Sequence, residues 1–261
     1  MQVENVMIEQ LSPSSHYFVE ARSDIGERNQ QQDYAYLHIN SDRIFAVVCD
    51  GMGGACDGEL ASQTAVSAIS RAYTDYSPEN SSDIPAFLYR TMVAADAAVS
   101  TRMTHGVGGT TLVSAIISGT QMYWVSVGDS RLYIIRSGEM IQATRDHNYF
   151  LRLREMLERG QLTSDLYEKE SKRGEALISY LGMGGISLYD LTQSAFELQH
   201  GDTILITTDG LPKALSNEAL YTIITSECST PEKADMLIRQ ARDARATISQ
   251  DNTTFIVVDV I

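Results

Sequence analysis

The sequence predicts an α+β fold in which helices cover antiparallel sheets. Three observations carry that expectation. Eight segments are rich in β-branched and aromatic residues, and several of them follow one another with only short breakers between. Three longer segments carry apolar residues at helical spacing. The two kinds are segregated along the chain, which favours helices laid over antiparallel strands rather than alternating βαβ units.

The expected strands, in order, are 17–23 (YFVEARS), 34–39 (YAYLHI), 44–49 (IFAVVC), 110–117 (TTLVSAII), 121–127 (QMYWVSV), 131–136 (RLYIIR), 203–208 (TILITT) and 253–260 (TTFIVVDV). SGT at 118–120 and SGE at 137–139 have the composition of hairpin turns. The first helix, 57–74, places Ala61, Ala65, Ala68, Ile69 and Ala72 along one stripe. The second, 84–103, does the same with Leu88, Met92, Ala95 and Val99. In the third, 231–244, Thr230 is the expected N-cap, Pro231 the first helical residue, and Ala234, Leu237, Ile238 and Ala241 the stripe. These stripes are expected to pack on a sheet and carry no chemistry. Residues 144–185 are polar, with weak helical character near 149–159, and are expected to form an excursion from the core. There is no repeat and no low-complexity linker, so residues 1–261 are expected to form a single catalytic domain.

A chain of 261 residues that is 43% hydrophobic has ample material for a core. Its net charge of −14 makes phosphate-backbone binding a poor expectation, because that mode needs clustered Lys and Arg; no nucleic-acid partner is expected. Cys49, Cys56 and Cys228 show no CxxC spacing and suit a reducing compartment. The N-terminal MQVENVMIEQ lacks the basic and apolar regions of a signal peptide. No apolar run approaches the about 18 residues of a membrane span. A cytoplasmic protein with no membrane partner is expected.

The chemistry is concentrated where strands end. FAVVCDGMGG (45–54) is an apolar run that stops at Asp50 and turns glycine-rich. ILITTDG (204–210) repeats the pattern at Asp209, and WVSVGDSR (124–131) ends a strand at Asp129. Asp251 and Asp33 each come just before a strand. One such Asp is an ordinary turn residue. Five of them, if gathered at one end of a sheet, need cations to offset their repulsion. Oxygen ligands without His or Cys select hard ions such as Mg²⁺ or Mn²⁺. Gly51, Gly53 and Gly54 would let the backbone pass close to such ions. A phosphate-cradling loop is excluded, because no Gly-Lys pair occurs in the chain.

These residues resemble the type 2C (PPM) metal-dependent serine/threonine protein phosphatases, in their bacterial form. SDIGERNQQQDYAYL, VVCDGMGGACDGELAS, GGTTLVSA, SVGDSRLYIIRSGE, ATRDHN, GDTILITTDGL and SQDNTTFIVV are similar to the family's blocks, in order, over roughly residues 18–260. The resemblance implies a four-layer αββα sandwich, two packed antiparallel β-sheets flanked by helices. It implies a two-metal centre holding Mg²⁺ or Mn²⁺, with a third, weaker ion in bacterial members. Asp50 would bridge both metals and Gly51 would lend its carbonyl. Asp209 and Asp251 would complete the first metal, Asp33 would hold metal-bound water, and Asp129 would help hold the third ion. Arg28 would grip the substrate phosphate. The implied activity is hydrolysis of phosphoserine and phosphothreonine in proteins by a metal-bridged hydroxide, with a Ser/Thr kinase as a functional partner. The polar excursion would be the flap beside the site, and His147 a structural loop residue.

Three positions depart from the pattern. Gln32 stands where many members carry Glu, Met52 where eukaryotic members carry His, and Lys213 where an acid often follows the second Asp-Gly. The first and third are expected to weaken metal binding. The alternatives weighed are a catalytically weak or inactive binding module on the same fold, and a two-metal nuclease. Asp50, Asp209 and Asp251 are all present, which argues against the first. The acidic balance argues against the second.

Overall fold

The computed structural model describes residues 5–10, 12, 14, 16–53, 57–75, 77–103, 108–244 and 250–261. Gly54 and Cys56, both considered above, lie outside the described residues. Two sheets form the centre. In the first, the strand order is β1 (Val6–Gln10), β3 (Asp33–Ile39), β4 (Arg43–Met52), β6 (Leu112–Ser118), β7 (Gln121–Val127) and β10 (Asp190–Leu191). The short β5 (Gly109–Thr110) pairs with the end of β4, and β11 (Phe196–Glu197) pairs with the start of β7. In the second, the order is β2 (Tyr17–Asp24), β13 (Thr253–Val260), β12 (Thr203–Thr207), β8 (Arg131–Arg136) and β9 (Glu139–Gln142).

Strand alternation explains why two sheets stack with helices outside. Along β4, Phe45, Val47 and Cys49 face one way and Ile44, Ala46 and Val48 the other, and all six are buried. The first set packs under α1 (Asp57–Asp75) and α2 (Ile84–Arg102), against Ala61, Ala65, Ile69, Tyr73, Leu88 and Met92. The second set meets Leu132, Ile134, Ile204, Ile206, Ile256 and Val258 of the other sheet. That sheet's far face, with Tyr133, Leu205, Phe255 and Val257, is covered by α5 (Gly210–Ala214), α6 (Asn217–Ile224) and α7 (Thr230–Asp243). Three apolar seams thus separate four layers, in the expected αββα order. A strand buried on both faces must be apolar throughout, and β4 reads that way.

The eight expected strands are all present within a few residues. The 110–117 segment is split into β5 and β6, and β1, β9, β10 and β11 were not foreseen. The last two are only two residues long, too short for a periodic signal. One pairing departs from the antiparallel expectation, since β1 runs parallel to β3. Both turns join neighbouring strands. In the β8–β9 turn, Ser137 (φ 51°) and Gly138 (φ 89°) adopt the left-handed pair that matches the strand twist of a two-residue hairpin.

The third helix begins earlier than expected. Ser229, not Thr230, is its N-cap: Ser229 N–H donates to Glu232 Oε2 at 2.9 Å within a capping box. The polar excursion carries two helices, α3 (Tyr149–Glu158) and α4 (Ser164–Glu170), capped by Asn148 and Thr163. Phe45 lies at the centre of an aromatic group, stacked on Tyr73 at 4.3 Å and edge-on to Tyr36 and Phe87. Phe45→Ala is expected to lower unfolding free energy by about 3–5 kcal/mol, through lost burial plus the cavity left behind, as read from urea denaturation.

Candidate metal and phosphate site

The αββα arrangement brings one end of both sheets together. Asp33 opens β3, Asp50 lies near the end of β4, Asp129 follows β7, Asp209 follows β12 and Asp251 precedes β13. Asp50, Asp129, Asp209 and Asp251 line one cleft of about 350 Å³, together with Arg28, Gln32, Gly51 and Lys213. Asp33 lies behind its floor, fully buried, and is the cross-strand partner of Asp50. All the acids singled out by sequence therefore meet. The reason lies in the topology: β3 and β4 are antiparallel, so the start of one stands beside the end of the other.

Local hydrogen bonds hold each acid. Asp50 N–H donates to Thr111 Oγ1 at 2.9 Å, and Thr111 Oγ1 lies 2.7 Å from Ser130 Oγ. The Asp50 carbonyl accepts from Thr111 N–H and Thr110 Oγ1, both at 2.9 Å. Asp33 Oδ2 accepts from Thr208 Oγ1 at 2.9 Å, and Thr208 Oγ1 accepts from Thr254 N–H at 3.0 Å. Asn252 ties down the Arg28 loop: its Oδ1 accepts from Gln32 N–H at 2.8 Å, and its Nδ2 donates to the Ile25 and Gln30 carbonyls. Thr111, Thr208 and Asn252 were not singled out from sequence. Their signal was adjacency, since Thr208 and Asn252 each neighbour a chosen Asp.

The glycine after each Asp serves packing between chain segments. A Cβ on Gly51 would lie 2.0 Å from the Gly58 carbonyl oxygen at the start of α1, and one on Gly210 would lie 1.9 Å from that of Asn252. Both Asp-Gly pairs exist because the neighbouring backbone leaves no room for a side chain. Packing thus requires glycine at 51 whether or not an ion is near.

The polar excursion forms one wall, contributing Glu175 and Leu177 to the cleft. Its far end is tied to the strand beside Asp50, through Leu181 N–H to the Thr110 carbonyl at 2.8 Å and Thr110 N–H to the Leu181 carbonyl at 3.1 Å. Asp96 of α2 accepts from Gly182 N–H at 2.7 Å. His147 is fully buried, and its Nδ1 accepts from Gly128 N–H at 3.1 Å, next to Asp129. Asp146 pairs with Arg131 at 2.7 Å.

Electrostatics make the cluster short of positive charge. Burial, then the charges of Asp33, Asp209, Asp129 and Asp251, push the Asp50 carboxyl well above its ordinary range. Burial likewise pushes Asp33 up to about 8, with Asp209 and Asp251 adding to it and the Thr208 hydroxyl opposing, and Asp129 up to about 7. Asp33 Oδ1 and Asp209 Oδ1 are buried with no hydrogen-bond partner. Such orphaned oxygens are costly unless a cation or donor meets them. Arg28 Nη2 bonds Asp251 Oδ2 at 2.8 Å, and Lys213 Nζ pairs with Asp209 Oδ2. With two carboxylates turned to side-chain cations, no three acids among the described residues already form a cage round one point. The donor set, all oxygen and rich in carboxylate, nevertheless fits hard divalent ions.

The family model described as Protein phosphatase 2C matches residues 22–242. The chain is 30% identical over 251 residues to Protein phosphatase PhpP of Streptococcus pneumoniae, covering 91% of this chain and 95% of that one. It resembles the solved serine/threonine phosphatase of S. agalactiae with a TM-score of 0.82 and 26% identity, over 94% of this chain and 100% of that one. The catalytic domain of the phosphatase PstP, solved in complex with two manganese ions, matches with a TM-score of 0.74 and 27% identity, over 94% and 99% of the two chains. An acid-lined cleft at the end of an αββα sandwich and a family match over most of the chain lead to one conclusion: the chain belongs to the protein phosphatase 2C family.

Proposed function

We propose that this chain is a metal-dependent phosphatase of phosphoserine and phosphothreonine in proteins, and that the cleft at Asp50 is its active centre. The observation that carries the reading is the meeting of Asp33, Asp50, Asp129, Asp209 and Asp251 at one end of both sheets, with Arg28 at the rim. Asp50, the Gly51 carbonyl, Asp209 and Asp251 would hold the two ions, Asp33 would stand behind them, and Asp129 would help hold a weaker third. Bound Mg²⁺ or Mn²⁺ would supply Lewis-acid stabilisation of phosphoryl charge and make a water acidic enough to attack at neutral pH.

The chain's own groups do the rest. Arg28 is 57% exposed and held by a single carboxylate, so its guanidinium can turn from Asp251 onto a phosphate, where its planar fork meets two oxygens. Thr111 with Ser130 holds the Asp50 backbone, and Thr208 with Thr254 holds the Asp33 carboxylate, so little ordering of these segments is left for the moment of reaction. Glu175 and Leu177 from the excursion border the space left for the substrate peptide.

The substrates proposed are phosphoproteins made by a Ser/Thr kinase, and residues 1–261 are taken as one catalytic domain. A cytoplasmic location is supported by Cys49 and Cys228 being free thiols. Among the described residues no helix is long and apolar enough to cross a membrane. The alternative of an inactive binding module has no observation in its favour, since Asp50, Asp209 and Asp251 all face the cleft.

The test is hydrolysis of p-nitrophenyl phosphate and a phosphothreonine peptide with Mn²⁺, with Mg²⁺ and with EDTA. Release in both metals and none in EDTA is expected; release that survives EDTA would sink the reading. Asp209→Asn is expected to lower kcat by more than about 100-fold while far-UV circular dichroism stays unchanged, because it removes a charged donor and not core packing. Near-wild-type turnover in that variant would remove Asp209 from the metal set. Arg28→Ala is expected to cost about 10- to 100-fold in kcat/KM, and Arg28→Lys to recover little of it, since an ammonium lacks the two-pronged geometry. Full recovery by Lys would show that charge alone matters there.

A further inference from the structure

Lys213 is the side chain in the cleft for which the ligand pattern has no place. Its position is set by α5. Lys213 N–H donates to the Asp209 carbonyl at 2.9 Å, so the helical turn carries the side chain back over Asp209. Its Nζ then pairs with Asp209 Oδ2. The side chain is 46% exposed and lines the same cleft as Asp50, Asp129 and Asp251.

A second observation is that acceptor capacity in this neighbourhood is left over. Asp33, fully buried, keeps Oδ1 without a partner, and Asp209 keeps Oδ1 likewise. Lys213 thus neutralises the Asp209 edge of the cluster, in the cleft that Asp129 also lines, and leaves the Asp33–Asp50 side to other cations. A divalent ion held by Asp129 and Asp209 would share the cleft with this ammonium, and like charges repel more strongly in a partly buried site than in water.

We propose that Lys213 is a built-in counter-ion at the Asp209–Asp129 edge, taking the place of a third divalent ion, so that this chain binds two ions and not three. The proposal rests on the metal-phosphatase reading and specifies the cation complement of that site. It also assigns Lys213 a role in the metal-free fold, where its charge offsets carboxylate repulsion at the sheet ends.

The experiment is a Mn²⁺ titration of the full chain followed by the electron paramagnetic resonance signal of the free ion, which counts bound ions without turnover. Wild type, Lys213→Asp and Lys213→Gln are compared, with metal-free Tm measured for each. Two ions are expected in wild type and a third in Lys213→Asp. Lys213→Gln is expected to bind Mn²⁺ about tenfold more tightly than wild type, because a competing positive charge is gone, and to have a lower metal-free Tm. A third ion in wild type overturns the proposal, as does a folded Lys213→Asp variant that binds only two. If Lys213→Asp does not fold, Lys213→Gln decides: unchanged affinity and unchanged Tm overturn it. No Mn²⁺ bound by folded wild type would sink the phosphatase reading itself, an outcome distinct from a wrong ion count.

Discussion

Five aspartates held at one end of two stacked sheets repel one another, and most of what is distinctive in this molecule follows from that repulsion. Burial strips them of the water that would screen it, so Asp33, Asp50 and Asp129 hold their protons more tightly than free carboxyls do. Such an assembly is stable only with positive charge close by. Within the cleft that charge comes from Arg28 and Lys213, and two buried carboxylate oxygens still remain unpaired. A divalent cation bound among such acids would relieve the repulsion between them.

The apolar seams are what hold the acids together against their repulsion. Three layers of buried aliphatic and aromatic side chains fix the two sheets and the outer helices in place. The strand ends are then determined by register. Asp33 faces Asp50 because β3 and β4 pair from Ile39 opposite Ile44 to Asp33 opposite Asp50, and a one-residue slip would take the two acids out of register. The glycines at 51 and 210 close the remaining gap, since a methyl group at either would push backbone segments apart just where the acids must converge.

Hydroxyl and amide side chains do the fine positioning. Thr111, Ser130, Thr208 and Asn252 are buried, and each places a hydrogen bond on an aspartate, on a neighbour that holds one, or on the Arg28 loop. His147 acts similarly from the excursion, gripping the Gly128 N–H beside Asp129. The excursion is thereby joined to the cleft at both ends, through His147 where it leaves the core and through Leu181 where it returns.

The sequence by itself determined the elements and the chemistry of the acids. Long apolar strands such as 44–49 and 253–260 and the stripes of α1 and α2 were legible because their side-chain periods are set by local geometry alone. The five aspartates were legible because each interrupts such a run. What only the tertiary structure decided depends on contacts distant in the chain. The parallel pairing of β1 and the two-residue β10 and β11 have too few residues to show a period, and exist because β3 and β7 offer them an edge. The roles of Thr208 and Asn252 depend on partners about 175 and 220 residues away. Lys213 was visible as an oddity of sequence, but its place on Asp209 follows from the turn of α5 and the meeting of two sheet ends. Periodicity reports which face of an element is buried; it carries no information on which charges the folded chain will set against one another.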